Sequence, residues 1–276
     1  MAWIPQTTNI GDVQVPTAYQ PDIGSGVVLG AGLFIMACRL GLNKIANLII
    51  ASPVSAGFAD YDNAVLKSNN CPEIYKSVSV SASATDLSSQ VTAATQGSDG
   101  VVLNILPTQA VAAFKTRQQL GVTTPFISQT GTVNAATISA AGAAANGTLI
   151  EQELYLPPAS DTSVKGAVQF RADMEAVGQS KYIGASAAGS WVRYDLIAAA
   201  SKGLTTVNRQ TLIAGIKKLS NYDAGGLIGT VDFTKPAPNS TYPGLYGTSF
   251  APGILQDGVV TANPKLPHFI SLFPTK

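Results

Sequence analysis

Charge is scarce in this sequence: only 12% of its 276 residues are charged, and the net charge is +1. Basic runs are missing, so the chain offers no electrostatic footprint for nucleic acid. The single histidine, His268, lies in a proline-rich tail. A Ser-His-Asp arrangement would have to use it, and a lone tail histidine is ordinarily a surface residue. The only two cysteines, Cys38 and Cys71, lack metal-ligand spacing. They leave two readings open: a disulfide if the chain is exported, or two buried thiols. No apolar run reaches the roughly 18 residues needed to span a bilayer. The longest, Val27 to Cys38, is interrupted by Gly30 and Gly32 and followed by Arg39, so it reads as a buried helix. The opening residues Met-Ala-Trp-Ile-Pro-Gln carry none of the marks of an export signal. Gly24-Ser25-Gly26 and Gly30-Ala31-Gly32 follow no strand and lack the Lys-Ser/Thr of a phosphate loop, so they read as sites of close helix packing.

What is present is apolar and small. Hydrophobic residues make up 46% of the chain. That composition favours a compact, Ala/Ser/Thr-rich, exported protein with one large core or two smaller ones. The stretch Asp99 to Gly121 organises the rest. Val101 to Leu106 is a nearly unbroken apolar run, which fits a strand buried on both faces of a parallel sheet. Pro107 ends it, Thr108 is expected to cap the next helix, and Gly121 to end that helix. In open α/β sheets ligands bind beyond the carboxyl ends of the strands, so Asn104 to Thr108 form a candidate site lip.

From Ile45 to Leu149 the order reads strand, helix, strand, helix, strand, helix, strand. That alternation predicts a parallel sheet covered by helices through right-handed crossovers. Residues 163–219 then give three helical segments with no strand of their own. Their apolar faces carry Phe170 and Met174, then Trp191 and Ile197, then Leu212 and Ile216. Thr230 to Phe233 reads as a strand, and Tyr246 to Val260 as a hairpin turning near Gln256-Asp257-Gly258.

This series of motifs resembles the type I periplasmic binding proteins, and within them the branched-chain amino-acid-binding receptors of ABC transporters. The resemblance runs from about Val15 to Val260. Val15-Pro16-Thr17-Ala18-Tyr19-Gln20 is similar to the family's first crossing between lobes. Ala84-Thr85-Asp86-Leu87 and Ser98-Asp99-Gly100-Val101-Val102 match its helix and strand openings. Phe114 to Gly121, Trp191-Val192-Arg193-Tyr194-Asp195 and Gly229-Thr230-Val231-Asp232-Phe233 continue the match.

The resemblance implies an α/β fold of two lobes: one doubly wound parallel-sheet lobe and a second, incomplete one. Residues 1–21 would be a remnant and first crossing, 22–152 the ligand-binding lobe two, 153–229 the helical part of lobe one, and 230–276 the return to lobe two with a tail. Roughly a hundred residues of the usual lobe one are expected to be missing, by truncation or as a genuine variant. The implied function is an extracytoplasmic solute receptor, periplasmic or at the cell surface. It would close on a small molecule and deliver it to an ABC permease in the membrane. No enzyme activity, cofactor, metal or nucleic-acid partner is expected. The competing readings are an α/β enzyme acting on a nucleotide or sugar, and the ligand-sensing core of a receptor or regulator.

Carried over by position, the ligand contacts would be Ser52, Ser55, Ala56, Asn104, Leu106, Pro107, Thr130 and, from lobe one, Trp191. Several depart from the family. Ala56 and Leu106-Pro107 stand where amino-acid binders place aromatics, and Thr130 stands where an acid would meet the ligand's ammonium group. A desolvated ammonium needs a charged or dense hydrogen-bonding partner. The expected ligand is therefore not a standard zwitterionic amino acid but a smaller, neutral or aromatic solute.

Overall fold

Five short strand segments, four apolar and one alternating, set the architecture. They form β1 (Ile45–Ile50), β2 (Lys76–Val80), β3 (Gly100–Asn104), β4 (Phe126–Gln129) and β5 (Leu149–Gln152) of a computed structural model that describes residues 4, 14–22, 26–52, 55–238 and 242–273. Between them lie α1 (Gly26–Arg39) before β1, then α2 (Ser55–Ser68), α3 (Ser88–Thr95), α4 (Pro107–Gln119) and α5 (Ala135–Ala141). The described residues fall into two compact units. One takes the residues up to 28, 153–251 and 269–273; the other takes 29–152 and 252–268.

The second of these units is the sheet unit. Its strand order is β2-β1-β3-β4-β5, and every one of those neighbours runs parallel. The sheet is extended by β6 (Ser249–Gln256) and β7 (Val259–Ala262), an antiparallel hairpin. The hairpin turns on Asp257 and Gly258, both with positive φ, as a two-residue turn between twisted strands requires. Side chains alternate across the sheet. Ala46, Leu48, Val101, Leu103, Phe126 and Ile150 make one core with Leu87 and Val91 of the α3 segment and Ala110, Ala113 and Phe114 of α4. The intervening Ile45, Asn47, Ile49, Val102 and Ile127 are buried as well. Burial on both faces explains why these strands read as unbroken apolar runs. Cys38, at the end of α1, is disulfide-bonded to Cys71, just after α2.

One cap differs from the sequence expectation. Leu106, not Thr108, is the N-cap of α4, and Pro107 is its first helical residue. Proline fits there because the first helical N–H has no partner in any case. The Gln109 side chain turns back to accept from the Leu106 N–H at 3.3 Å.

The other unit carries α6 (Lys165–Ala176), α7 (Ala185–Ser201) and α8 (Arg209–Ile216). Close backbone approaches at glycine hold the helices: a Cβ at Gly215 would stand 2.0 Å from the Ala200 carbonyl oxygen. A ring cluster of Tyr19, Tyr222, Phe233 and Tyr246 fills its interior, with Phe233 and Tyr246 centroids 4.8 Å apart. Its extended structure among the described residues is slight: β8 (Ile270–Ser271) pairs the first residues of β6, and two isolated bridges join Gln20 to Leu245 and Tyr222 to Val231. The strand expected at Thr230 to Phe233 is thus only a bridge. The Asp232 carboxylate accepts from the backbone and hydroxyl of Thr234 and turns the chain out of the extended state. Residues 230–251 belong to this unit, whereas the sequence reading put them in lobe two. The bridge to Tyr222 and the ring cluster around Phe233 hold them there.

Candidate ligand-binding site

In the order β2-β1-β3-β4-β5 the winding reverses between β1 and β3, and ligands of such sheets sit outside the carboxyl ends near that point. The residues that follow β1, β3 and β4 there are the ones the sequence singles out. Ser52 is exposed beyond β1. The side chains of Ser55 and Ala56 lie outside the described residues. Asn104 closes β3 half-buried, and its amide donates to the Asn47 side-chain oxygen at 2.9 Å. Leu106 is 44% exposed, and Pro107 is half-buried beside it. Thr130 follows β4, half-buried, with its backbone N–H on the Glu151 carbonyl at 3.2 Å.

These groups are fixed from beneath. Ser128 is fully buried and donates to the Leu103 carbonyl, and the Thr132 hydroxyl donates to the Ile105 carbonyl at 3.5 Å. Gln109 holds the turn after β2 by donating to the Ser81 carbonyl at 2.8 Å. The lip therefore offers a set backbone with half-buried amide and hydroxyl side chains beside the exposed Leu106. Such a lining orients a small molecule by a few hydrogen bonds and gains affinity from apolar contact. Asn47 was not legible as a site residue: it is 1% exposed inside β1, and its amide nitrogen finds no partner among the described residues. An asparagine inside an apolar strand was the available signal, because buried polar groups seek partners.

Trp191 belongs to the other unit. Its indole N–H donates to Asp173 at 2.7 Å, and its ring meets Phe170 edge-on at 6.2 Å. Those contacts tie α7 to α6. In the same unit Arg193 and Asp22 form a buried two-point ion pair, at 2.9 and 3.0 Å. Gln20 donates to the Asp22 carbonyl, and Arg193 also donates to the Gly189 carbonyl. Burial, aided by the negative charge of Asp22, pushes the Glu153 carboxyl up to about 7, against the pull of Arg193. The Tyr222 hydroxyl lies within hydrogen-bond distance of the Val192 carbonyl and the Asp195 carboxylate, and burial raises its pKa further than that acid does. His268 is exposed. Among the described residues no group of three or more His, Cys, Asp or Glu is placed to hold a metal.

Residues 24–242 match the family profile described as periplasmic binding protein. Among curated proteins, none matches the sequence. Solved structures do match in fold. A branched chain amino acid ABC transporter protein from Thermus thermophilus, with bound valine, aligns over 98% of this chain and 72% of its own at TM-score 0.71 and 16% identity. A leucine binding protein from Thermotoga maritima aligns over 90% and 66% at TM-score 0.60 and 18% identity. A fatty acid ABC transporter substrate-binding protein from Thermomonospora curvata aligns over 98% and 69% at TM-score 0.70 and 14% identity. The chain thus spans about two thirds of the length of these structures.

Proposed function

Because the chain belongs to the periplasmic binding protein family, we propose that it is a solute receptor of an ABC importer, working outside the cytoplasm with a membrane permease as partner. The disulfide between Cys38 and Cys71 supports an oxidising compartment. Among the described residues no helix is long and apolar enough to cross a membrane. The solute binds at the carboxyl edge of the parallel sheet, against Asn104, Leu106, Pro107 and Thr130, and the lobes close around it. Ser52, Ser55, Ala56 and Trp191 complete the proposed contacts.

The observation that carries the ligand class is the position of Thr130. It extends a half-buried hydroxyl side chain from the end of β4, where an amino-acid receptor would need a carboxylate. Glu151, the acid on the adjoining strand end, is fully buried. A ligand ammonium would lose its water there without an ionic partner. We therefore assign a small neutral or aromatic solute rather than a free amino acid. The fold neighbours span both chemistries, a bound valine in one and a fatty-acid receptor in another. A thermal-shift screen of the protein against leucine, isoleucine, valine, short fatty acids and neutral aromatics tests this, since a ligand of the native state raises the midpoint. Neutral or aromatic solutes are expected to raise it saturably. Micromolar binding of leucine or isoleucine would contradict the assignment.

A further inference from the structure

The sheet unit holds a second concavity, of mixed polar and apolar lining, at its opposite edge, where the chain enters β4 and β5. It is an open groove of about 360 Å³, with Arg117, Gln118, Thr123 and Asn146 on its polar side and Val122, Pro125 and the Ala143-Ala144 pair on its apolar side. Its central feature is the Arg117 guanidinium, half-buried near the end of α4. One terminal nitrogen donates to the carbonyls of Ala144 and Asn146 at 2.8 and 2.9 Å. The group also lies over the Phe126 ring at 4.8 Å and the Phe114 ring at 5.9 Å. A guanidinium carries five N–H donors. The two carbonyls take two, which leaves the other terminal nitrogen and Nε with three, and no partner for those is found among the described residues.

Nor does any carboxylate neutralise it. The ion pairs among the described residues are Arg193 with Asp22 and Lys235 with Asp232. Asp257, the acid bonded to the groove residue Asn146, accepts from the Asn146 amide at 3.0 Å, and its own backbone N–H donates to the Asn146 side-chain oxygen at 3.0 Å. Burial without an anion works against the charged form, and the Arg117 pKa is lowered for that reason. The side chain is also immobilised in advance by two hydrogen bonds and a ring face, so little rotamer entropy remains to be lost on binding. A planar guanidinium with unused donors at the lining of a groove offers the donor set that recognises carboxylate and phosphate oxygens.

We propose that this concavity is a binding site for a small oxyanion, a carboxylate- or phosphate-bearing molecule, distinct from the solute site at the carboxyl edge. Arg117 supplies the charge and the paired donors, and Thr123, Gln118 and the Gly147 turn supply the rim. The pairing is independent of which solute the other edge takes.

The test is thermal unfolding of the whole chain with inorganic phosphate and, separately, acetate, each against sodium chloride at equal ionic strength. A saturable rise of about 2–4 °C over the chloride control is expected with at least one of the two. Which one acts tells tetrahedral from planar oxyanion. Arg117→Gln removes the rise. Gln118→Glu places a carboxylate at the rim, so it raises the midpoint at low salt and removes the response to added anion. If Arg117→Gln fails to fold by circular dichroism, Gln118→Glu decides. A rise that does not saturate, one equal in a folded Arg117→Gln, or an undiminished response in Gln118→Glu overturns the proposal, because each marks general salt exclusion rather than a site.

Discussion

The unit built around residues 29–152 is held mostly by neighbours in sequence, while the unit built around 153–251 is held by partners far apart. In the first, β1 to β5 pair with strands one or two places away in strand number, only the β6–β7 hairpin returns from far along the chain, and the core joins β1, β3 and β4 to α3, α4 and α5. In the other, Arg193 meets Asp22 across 171 residues, Tyr19 stacks on Tyr246 at 5.7 Å, and Gln20 bridges to Leu245. The difference teaches where stability is concentrated. A parallel sheet spreads it over many apolar contacts, so no single polar residue should dominate. A helical and looped unit with a buried ion pair concentrates it, because one lost partner strands a charge.

That contrast breaks first at Arg193. Arg193→Met takes the cation away from the buried Asp22 carboxylate, and should cost about 3–5 kcal/mol. The double variant Arg193→Met with Asp22→Asn should cost distinctly less, since no charge is then stranded. Hydrogen exchange should show the loss of protection in α6, α7 and α8 and not in β1, β3 and β4. Equal loss in both units would mean that they unfold as one and that the contrast has no energetic content.

The sheet unit has one concentrated element of its own, the bond between Cys38 and Cys71, which closes a loop spanning 33 positions. Replacing both cysteines with serine should cost about 3–4 kcal/mol on the loop-entropy model. Denaturant midpoints with and without reductant check it: the wild type should fall on reduction, and the double variant should not move. Protection should weaken mainly in α1 and α2, the segments the bond joins.

The same contrast governs what the sequence revealed. The strands β1, β3, β4 and β5 were legible as apolar runs and β2 by its alternation, and helices between such segments point to parallel pairing. Asn104, Leu106, Pro107 and Thr130 were legible as strand-end residues for the same reason. The other unit was not. Nothing near Arg193 in the chain points to Asp22, and nothing near Thr230 to Phe233 shows that its apolar residues meet rings of Tyr19 and Tyr246 rather than a sheet. The N-cap of α4 was missed by two residues because a side-chain cap was sought, whereas proline opens the helix without one.

Each unit also holds an acid whose carboxyl burial shifts upward, and the two shifts separate the two kinds of packing. In the sheet unit Asp62 is 2% exposed on α2, and a Cβ at Gly30 of α1 would stand 3.2 Å from its Oδ1. Burial pushes its carboxyl up to about 8. A carboxyl raised on folding contributes stability that is complete below its unfolded value and lost as pH rises through its folded one. Asp62 therefore weakens the fold between about pH 4 and pH 8, the window between ordinary carboxyl titration and its folded value. Asp62→Asn should be more stable than the wild type at pH 8, on the order of 2–3 kcal/mol, with the gap closing towards pH 4.

Glu153, at about 7, follows the same sign over a narrower range, roughly pH 4.5 to 7, but it lies beside Arg193 as well as Asp22. Its ionised form is thus partly compensated where that of Asp62 is not. Glu153→Gln should gain less at pH 8, on the order of 1 kcal/mol. Combined with Arg193→Met, the gain from Glu153→Gln should grow, because the compensating cation is gone. Denaturant unfolding of the four chains at pH 5 and pH 8 reads this directly. A gain from Glu153→Gln that is the same with and without Arg193 would show that the acid is shielded by water rather than by the ion pair. The charges of the helical unit would then act one by one rather than as a linked group.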